Sequence, residues 1–124
     1  MRPSRFETLR VWHQARRFTT RIYAICTEGR LSRDFGLRDQ MCRAAISIMS
    51  NIAEGYERGG AKELVQFLRI ARGSAAEIRA QLYAAEDIGY LDAETARKAR
   101  AEVLSITRQL SVLSTEILSR NTPT

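Results

Sequence analysis

The stretch from Arg43 to Tyr56 constrains the fold most, because nearly every position around it is apolar when it is drawn as a helix. A helix that is apolar around most of its circumference is normally buried on several sides. The predicted helix begins at about Leu37 and ends at Glu54, where Gly55 can adopt the left-handed conformation that is common after helices. The rest of the chain must therefore supply other helices that cover this one.

Two apolar sides and one thin polar line divide this predicted helix. The second apolar side consists of Cys42, Ile46, Met49 and Ala53. The polar line, which falls within about 80° on a helical wheel, consists of Gln40, Arg43, Ser47, Asn51 and Glu54. We predict that this line sets the packing register, with Asn51 bonding across the bundle and Glu54 pairing with Arg58 or Arg43. The alternative is a ligand site or catalytic pair formed by Asn51 and Glu54.

Three further stretches have apolar residues at alternating spacings of three and four, which is typical of amphipathic helices in a bundle. They are Thr8–Glu28, a stretch from Ala61 to Asp87 or Ile88, and a helix capped by Asp92 that ends near Ser119. The connections are short, which favours antiparallel neighbours. The sequence predicts an all-α, antiparallel up-down four-helix bundle in a single domain, residues 1–124, with a short arm (1–6) and a tail (120–124).

Some single residues carry local predictions. Ser32 can cap a short turn in the first connector, and Leu31 and Phe35 are expected to tuck against the end of the bundle. Gly73 lies in the middle of the third helix, where glycine costs about 1 kcal/mol relative to alanine. That cost favours close backbone packing at Gly73.

Composition and hydropathy indicate the number of domains and the cellular location. The chain has 124 residues, enough for one domain with its own core. No apolar run reaches the roughly 18–20 residues of a membrane span, and the amino terminus lacks the apolar core of a signal peptide. A cytoplasmic location is therefore expected, and no membrane contact. Cys26 and Cys42 fit a reducing compartment as small buried hydrophobes, with a disulfide or redox pair as the alternative.

Residue types needed for catalysis or metal binding are scarce. His13 is the single histidine, so the three or four ligands of a zinc site are not available at workable spacing. The Arg58-Gly-Gly segment lacks the lysine and the serine or threonine of a phosphate-binding loop. Ser47 has no evident base that would make it a nucleophile. The sequence thus predicts a protein that is not an enzyme and binds no cofactor or metal.

Positive charge is concentrated at the beginning of the chain. The net charge is +6, and residues 1–43 hold ten arginines and four acidic residues, which accounts for all of it. Arg10, Arg17 and Arg21 form a line beside the apolar seam of the first helix. Arginine suits contacts with phosphate and carboxylate groups. The line is interpreted either as a solvated face or as a surface that meets a polyanion or another subunit.

The polar line and its surroundings resemble a known family signature. The main segment is Gln40-Met-Cys-Arg-Ala-Ala-Ile-Ser-Ile-Met-Ser-Asn-Ile-Ala-Glu-Gly55. Further matches are Phe6, Glu7, Leu9, Val11 and Trp12, then Arg58, Phe67-Leu68, Ile70 to Ser74, Glu77 and Gly89-Tyr-Leu91. Together they resemble the four helix bundle protein family, also called ribosomal-RNA intervening-sequence proteins because some are encoded within insertions in bacterial 23S rRNA genes.

The resemblance implies an antiparallel four-helix bundle that assembles into a ring, commonly a pentamer, and a family without an established molecular function. A ring would also explain why the second helix has more apolar surface than one core needs. The leading hypothesis is a non-enzymatic helical protein that binds RNA, DNA or a ribonucleoprotein through its basic first helix. Aromatic stacking platforms are not evident, so little sequence specificity is expected. The alternative is a scaffold for a protein partner.

Overall fold

Four α-helices account for most of residues 5–120, the part of the chain that the computed structural model describes. They are α1 (Arg10–Cys26), α2 (Phe35–Arg58), α3 (Ala61–Ile88) and α4 (Ala93–Arg120). Short 3₁₀ helices at Phe6–Thr8 and Gly29–Arg33 precede and follow α1, and no strand occurs within residues 5–120. The predicted all-α fold with four helices is confirmed. Most of the predicted arm and tail, residues 1–4 and 121–124, lies outside the described residues.

Helix α2 begins and ends at different residues from those predicted. Its amino terminus is capped by Asp34, whose carboxylate accepts a hydrogen bond from the Leu37 N–H at 3.1 Å. Ser32 stays within the preceding 3₁₀ helix, where its hydroxyl donates to the Gly29 carbonyl. The helix continues through Gly55 for another turn and ends before Gly59, which has the left-handed φ of 82°.

Gly55 is a packing residue rather than a helix stop. A Cβ atom built at this position would lie 2.9 Å from the Cβ of Phe67 and 3.0 Å from Cδ1 of Leu64, both on α3. Real Cβ atoms do not approach so closely, so the absence of a side chain allows α2 and α3 to touch. The prediction that the backbone packs closely at Gly73 is wrong. This glycine is exposed, and a Cβ atom built on it would have no neighbour within 4 Å.

The core lies between α2 and the helices on either side of it. Helix α2 packs against α1 and α3, α3 packs against α4, and α1 packs against α4, so the four helices surround one apolar cluster. The largest fully buried side chains come from all four helices and from the first connector. They include Phe18, Ile22, Leu31, Met41, Ile48, Leu68, Ile78, Leu82, Ile106 and Leu110.

The second apolar side of α2 is mostly covered within the same chain. Cys42, Met49 and Ala53 are partly buried against the core cluster. The Trp12 indole N–H donates to the Met49 carbonyl at 3.1 Å, which fixes α1 on this side of α2. Ile46 remains exposed, at 41% of its surface. The apolar surface of α2 that exceeded the needs of one core is therefore largely buried against α1 and the 3₁₀ helix that precedes α1.

Both cysteines are free thiols. Cys26 is fully buried, as predicted for a small hydrophobe, and burial raises the pKa of its thiol to about 12. Cys42 is partly buried. Within residues 5–120, none of the helices combines the length and apolar character required to cross a membrane.

The two mid-helix glycines should respond oppositely to the same substitution. Gly55→Ala forces Phe67 or the helix backbone to move, and overpacking of this kind costs about 1–3 kcal/mol of unfolding free energy. Gly73→Ala meets no neighbour and should gain about 0.5–1 kcal/mol through higher helix propensity. Urea unfolding of both variants measures the difference. A Gly55→Ala protein as stable as the Gly73→Ala protein would contradict the proposed close approach.

Acid should weaken the α2 cap. Hydrogen bonds from the Leu37 N–H and the Tyr90 hydroxyl hold the pKa of Asp34 below its usual value of 3.8. A lowered pKa gives stability that is complete above the usual value and is lost as the pH falls through the lower, folded-state value. Asp34→Asn keeps the capping oxygen but removes the titrating group. Its unfolding free energy should therefore fall less steeply between about pH 5 and pH 2 than that of the native chain.

The matched control is Asp87→Asn, which removes an exposed carboxylate near the end of α3. Thermal unfolding followed by circular dichroism over the same pH range compares the three proteins. Equal slopes for the native and Asp34→Asn chains would show that this carboxylate does not contribute to the acid sensitivity.

Candidate nucleic-acid interface

The predicted arginine line lies along the junction between α1 and α4. Arg10, Arg17 and Arg21 are all exposed on α1, with Arg17 about two turns after Arg10 and Arg21 about one turn after Arg17. Between them, Gln14 accepts a hydrogen bond from the Gln109 side chain of α4. Arg21 forms a 2.7 Å ion pair with Glu102, also on α4. The line is therefore anchored to a neighbouring helix at two points rather than fully surrounded by solvent.

Charge neutralisation along the line is uneven. Arg21 has its acidic partner, whereas Arg10 and Arg17 form no ion pair with any residue in the described range 5–120. Arg10 also lines a shallow groove of about 390 Å³ together with Arg108 and Glu116 of α4. Arg108 has no ion-pair partner within the described residues either. The arginines without an ion pair in the described residues are thus Arg10 and Arg108, which share this groove with Glu116, and Arg17 farther along α1.

Arg108 was not among the predicted site residues. It belongs to the second half of the chain, where acidic and basic residues balance, so charge counting along the sequence gave no reason to select it. Its position next to Gln109, which bonds to Gln14, places it beside the arginine line. The sequence alone carries no signal for it, because selecting Arg108 requires knowing which turn of α4 lies beside Arg10.

The polar line of α2 separates into an inner and an outer part. Ser47 is partly buried, and its hydroxyl lies 2.8 Å from the Ser74 hydroxyl on α3. Asn51 donates from its amide to the Ser47 hydroxyl at 2.9 Å and to the Ser47 carbonyl at 2.8 Å. The expectation that Asn51 bonds across the bundle is therefore wrong, because Ser47 makes the contact between helices and Asn51 orients it.

The outer part of the line faces solvent. Gln40, Arg43 and Glu54 are exposed, and Glu54 forms a 2.9 Å ion pair with Arg58 rather than with Arg43. Arg58 also lies over the Phe67 ring, 5.3 Å from its centroid. This arrangement gives Glu54 and Asn51 separate partners, so they do not form a pair of facing groups suited to acid–base chemistry. Whether the five residues fix the packing register stays a prediction.

Groups that could hold a metal ion are missing from residues 5–120, where no set of three or more histidine, cysteine, aspartate and glutamate side chains converges. His13 is positioned locally, since its Nε2 donates to the Glu7 carbonyl at 2.6 Å. The arrangement as a whole offers guanidinium groups for anionic partners and no reactive centre within the described residues.

Comparisons with known proteins place this geometry in a family. A family model described as "23S rRNA-intervening sequence protein" matches residues 7–112, which span α1 to α3 and most of α4. A crystal structure from Bacteroides thetaiotaomicron, described as a protein with unknown function from the S23 ribosomal protein family, superposes with a TM-score of 0.77. It is 21% identical, and the alignment covers 84% of this chain and 97% of that one, so the likeness shows the fold. No curated protein matches the chain.

The hydrogen bonds of Ser47 should contribute measurably to the contact between α2 and α3. Ser47→Ala leaves Ser74 and the Asn51 amide without this partner, and an intramolecular hydrogen bond contributes roughly 0.5–1.5 kcal/mol. We expect a loss of about 1–2 kcal/mol in unfolding free energy, reduced by the higher helix propensity of alanine. Ser50→Ala, an exposed position on the same helix, is the control and should be neutral or slightly stabilising. Equal stabilities by urea unfolding would contradict the role of Ser47.

Proposed function

We propose that this chain, which belongs to the 23S rRNA-intervening sequence protein family, is a non-enzymatic protein that binds nucleic acid or a ribonucleoprotein. The binding surface is the junction of α1 and α4. The observation that carries the proposal is the group of exposed arginines without acidic partners in the described chain, Arg10, Arg17 and Arg108.

The spacing of these groups suits a phosphate backbone. Arg10 and Arg17 are seven residues apart, about 10 Å along the helix axis at 1.5 Å per residue. Guanidinium groups bind phosphate oxygens in a two-pronged geometry, and they remain charged at every physiological pH. Contacts to phosphates alone give affinity without sequence selection and make that affinity strongly dependent on salt. The junction is therefore a low-specificity polyanion surface.

We further propose that the helices run antiparallel. The pairs between α1 and α4 support this, since Gln14 bonds to Gln109 whereas the later residue Arg21 pairs with the earlier residue Glu102. The contacts of α1 with α2 follow the same order. Trp12 bonds to Met49, and the Thr19 hydroxyl lies 3.2 Å from the carbonyl of the earlier residue Ala45.

Assembly into a ring of identical chains, with five members as the favoured number, is part of the same proposal and follows the family resemblance. A shallow groove of about 490 Å³ between α1 and α2 supports a further contact surface. Tyr23 and Ile46, both 41% exposed, line it together with Arg43. Exposed apolar side chains beside a charged group are typical of surfaces that meet another protein. The proposed location is the cytoplasm.

The same groove favours the second candidate function, a scaffold that binds a protein rather than a nucleic acid. In that case the arginines would meet acidic side chains of the partner. Retention of a co-purifying protein after nuclease treatment, and its loss in an Ile46→Glu variant, would support the scaffold.

Removal of the uncompensated arginines should weaken binding to nucleic acid and make it less sensitive to salt. On duplex DNA each phosphate contact contributes roughly 0.9 to the slope of log affinity against log salt concentration. The Arg10→Gln/Arg17→Gln variant should therefore have a slope that is shallower by about 2. Fluorescence anisotropy with labelled duplex RNA and duplex DNA over a potassium chloride series measures it. Light scattering on the same samples gives the mass of the protein.

Two controls separate this surface from overall charge. Arg69→Gln removes an exposed charge from α3 and should leave the slope unchanged. Glu102→Gln releases Arg21 from its ion pair and should tighten binding more than Glu57→Gln, which removes an exposed acidic group from α2. Absence of binding at low salt would show that the proposed function is wrong. So would an Arg69→Gln effect as large as that of the double variant, together with equal effects of Glu102→Gln and Glu57→Gln.

A further inference from the structure

Phe35, the first residue of α2, is the most exposed large apolar side chain in the described part of the protein, at 62% of its surface. The sequence predicted that it would tuck against the end of the bundle together with Leu31. Leu31 does so and is fully buried, so the end of the core is filled without Phe35. The guanidinium carbon of Arg38 lies 4.6 Å from the ring centroid of Phe35. The ring is thus supported by an arginine while most of it faces solvent.

A concave surface lies beside this ring, where the connector between α1 and α2 meets the turn between α3 and α4. It has a volume of about 590 Å³ and is lined by Arg30, Arg33, Asp34, Phe35, Gly36 and Tyr90. Arg30 is held in place, since its Nη2 donates to the Gly89 carbonyl at 3.1 Å and its guanidinium lies over the Tyr90 ring. Arg33 has no side-chain hydrogen bond or ion pair within residues 5–120.

The acidic residue in this concavity is already engaged by the protein. One oxygen of Asp34 accepts the Leu37 N–H, and the other accepts the Tyr90 hydroxyl at 2.9 Å. Both bonds favour the ionised carboxylate, and they lower the pKa of Asp34. Asp34 therefore holds the α2 terminus and Tyr90 in position. Arg30 and Arg33 together carry one positive charge more than Asp34 neutralises, and both guanidinium groups still have N–H donors available.

We propose that this concavity binds an unpaired nucleobase and its adjacent phosphate in a single-stranded nucleic acid. The base stacks on the exposed face of Phe35, and the phosphate is bound by Arg33 and the remaining N–H groups of Arg30. Proteins that bind single strands combine aromatic stacking surfaces with positive charge in this way. An acidic peptide would use the arginines but not the face of Phe35, and an apolar partner would use the ring but not the arginines.

This inference rests on the proposed function and adds a discriminating contact to it. The α1–α4 junction can bind phosphates of single strands and duplexes alike, whereas a stacked base inside a duplex cannot reach Phe35. The complete protein should therefore bind a single strand more tightly than a blunt duplex of the same sequence.

The test uses a 12-nucleotide single strand with a central 2-aminopurine, made as RNA and as DNA, and the corresponding blunt duplexes. Stacking on an aromatic side chain contributes about 1–3 kcal/mol per base, which corresponds to a roughly 5- to 150-fold change in affinity. We expect Phe35→Leu to weaken single-strand binding within that range and to leave duplex binding unchanged. Phe35→Trp should retain it. The native protein should quench 2-aminopurine fluorescence, and Phe35→Leu should lose that quenching.

The chain offers a matched control for the aromatic–arginine pair. Tyr83 is 55% exposed on α3, and the guanidinium of Arg100 lies 4.1 Å from its ring centroid. Tyr83→Leu should leave single-strand affinity unchanged, and Arg33→Gln should weaken it more than Arg69→Gln does. Circular dichroism of the Phe35 variants, which are altered at an exposed position, tests whether they are folded.

The outcomes distinguish the two proposals. Single-strand binding that is unaffected by Phe35→Leu, or reduced equally by Tyr83→Leu, overturns this inference. If duplex binding that depends on Arg10 and Arg17 persists in that case, the proposed function stands. If the protein binds none of the four oligonucleotides, both this inference and the proposed function are overturned. Dependence on Phe35 with either the RNA or the DNA strand supports the inference, and the ratio of the two affinities identifies which polymer is preferred.

Discussion

The close approach of α2 and α3 at Gly55 is the contact on which the remaining packing depends. With no side chain at this position, α2 can lie directly against Leu64 and Phe67 just after the chain has turned at Gly59. Farther along the same two helices, the hydroxyl groups of Ser47 and Ser74 meet at 2.8 Å. Helix α2 therefore contacts α3 at two points along its length, and its remaining sides face α1 and solvent.

The orientation of α2 then determines where α1 can lie. The side that carries Met49 and Cys42 must be covered, and α1 covers it with Trp12 bonded to the Met49 backbone. Once the apolar seam of α1 is turned inward, its arginine line falls at the edge that borders α4. There Arg21 forms an ion pair with Glu102, while Arg10 and Arg17 have no ion-pair partner in the part of the chain that the structure describes. The distribution of charge on the surface is thus a consequence of core packing and not of sequence composition alone.

The helices and their buried faces could be predicted from the sequence because apolar residues recur at the spacing of the positions that face the core. It was insufficient wherever a residue's role depends on what lies opposite. Glycine at position 55 has the same chemistry whether it ends a helix or admits a neighbour, and only the position of Phe67 decides between the two. A helical wheel placed Asn51 on the polar line but could not show that its side chain folds back onto Ser47. Phe35 lies where a connector becomes a helix, so periodicity gave no information about the direction of its ring.

Five of the ten arginines that precede Ala44 lie at two surfaces, Arg10, Arg17 and Arg21 beside α4 and Arg30 and Arg33 next to Phe35. Those on α1 stand on a rigid helix beside α4, where they can contact phosphates but have no exposed aromatic ring among the residues of the adjoining groove. Arg30 and Arg33 surround a concavity bordered by Phe35 and Tyr90. Charge alone attracts any polyanion, and stacking requires a base that is not already paired. In the proposed function, affinity for a polyanion and selection of an unpaired base therefore arise from different surfaces, because only the second surface carries an exposed aromatic ring beside its arginines.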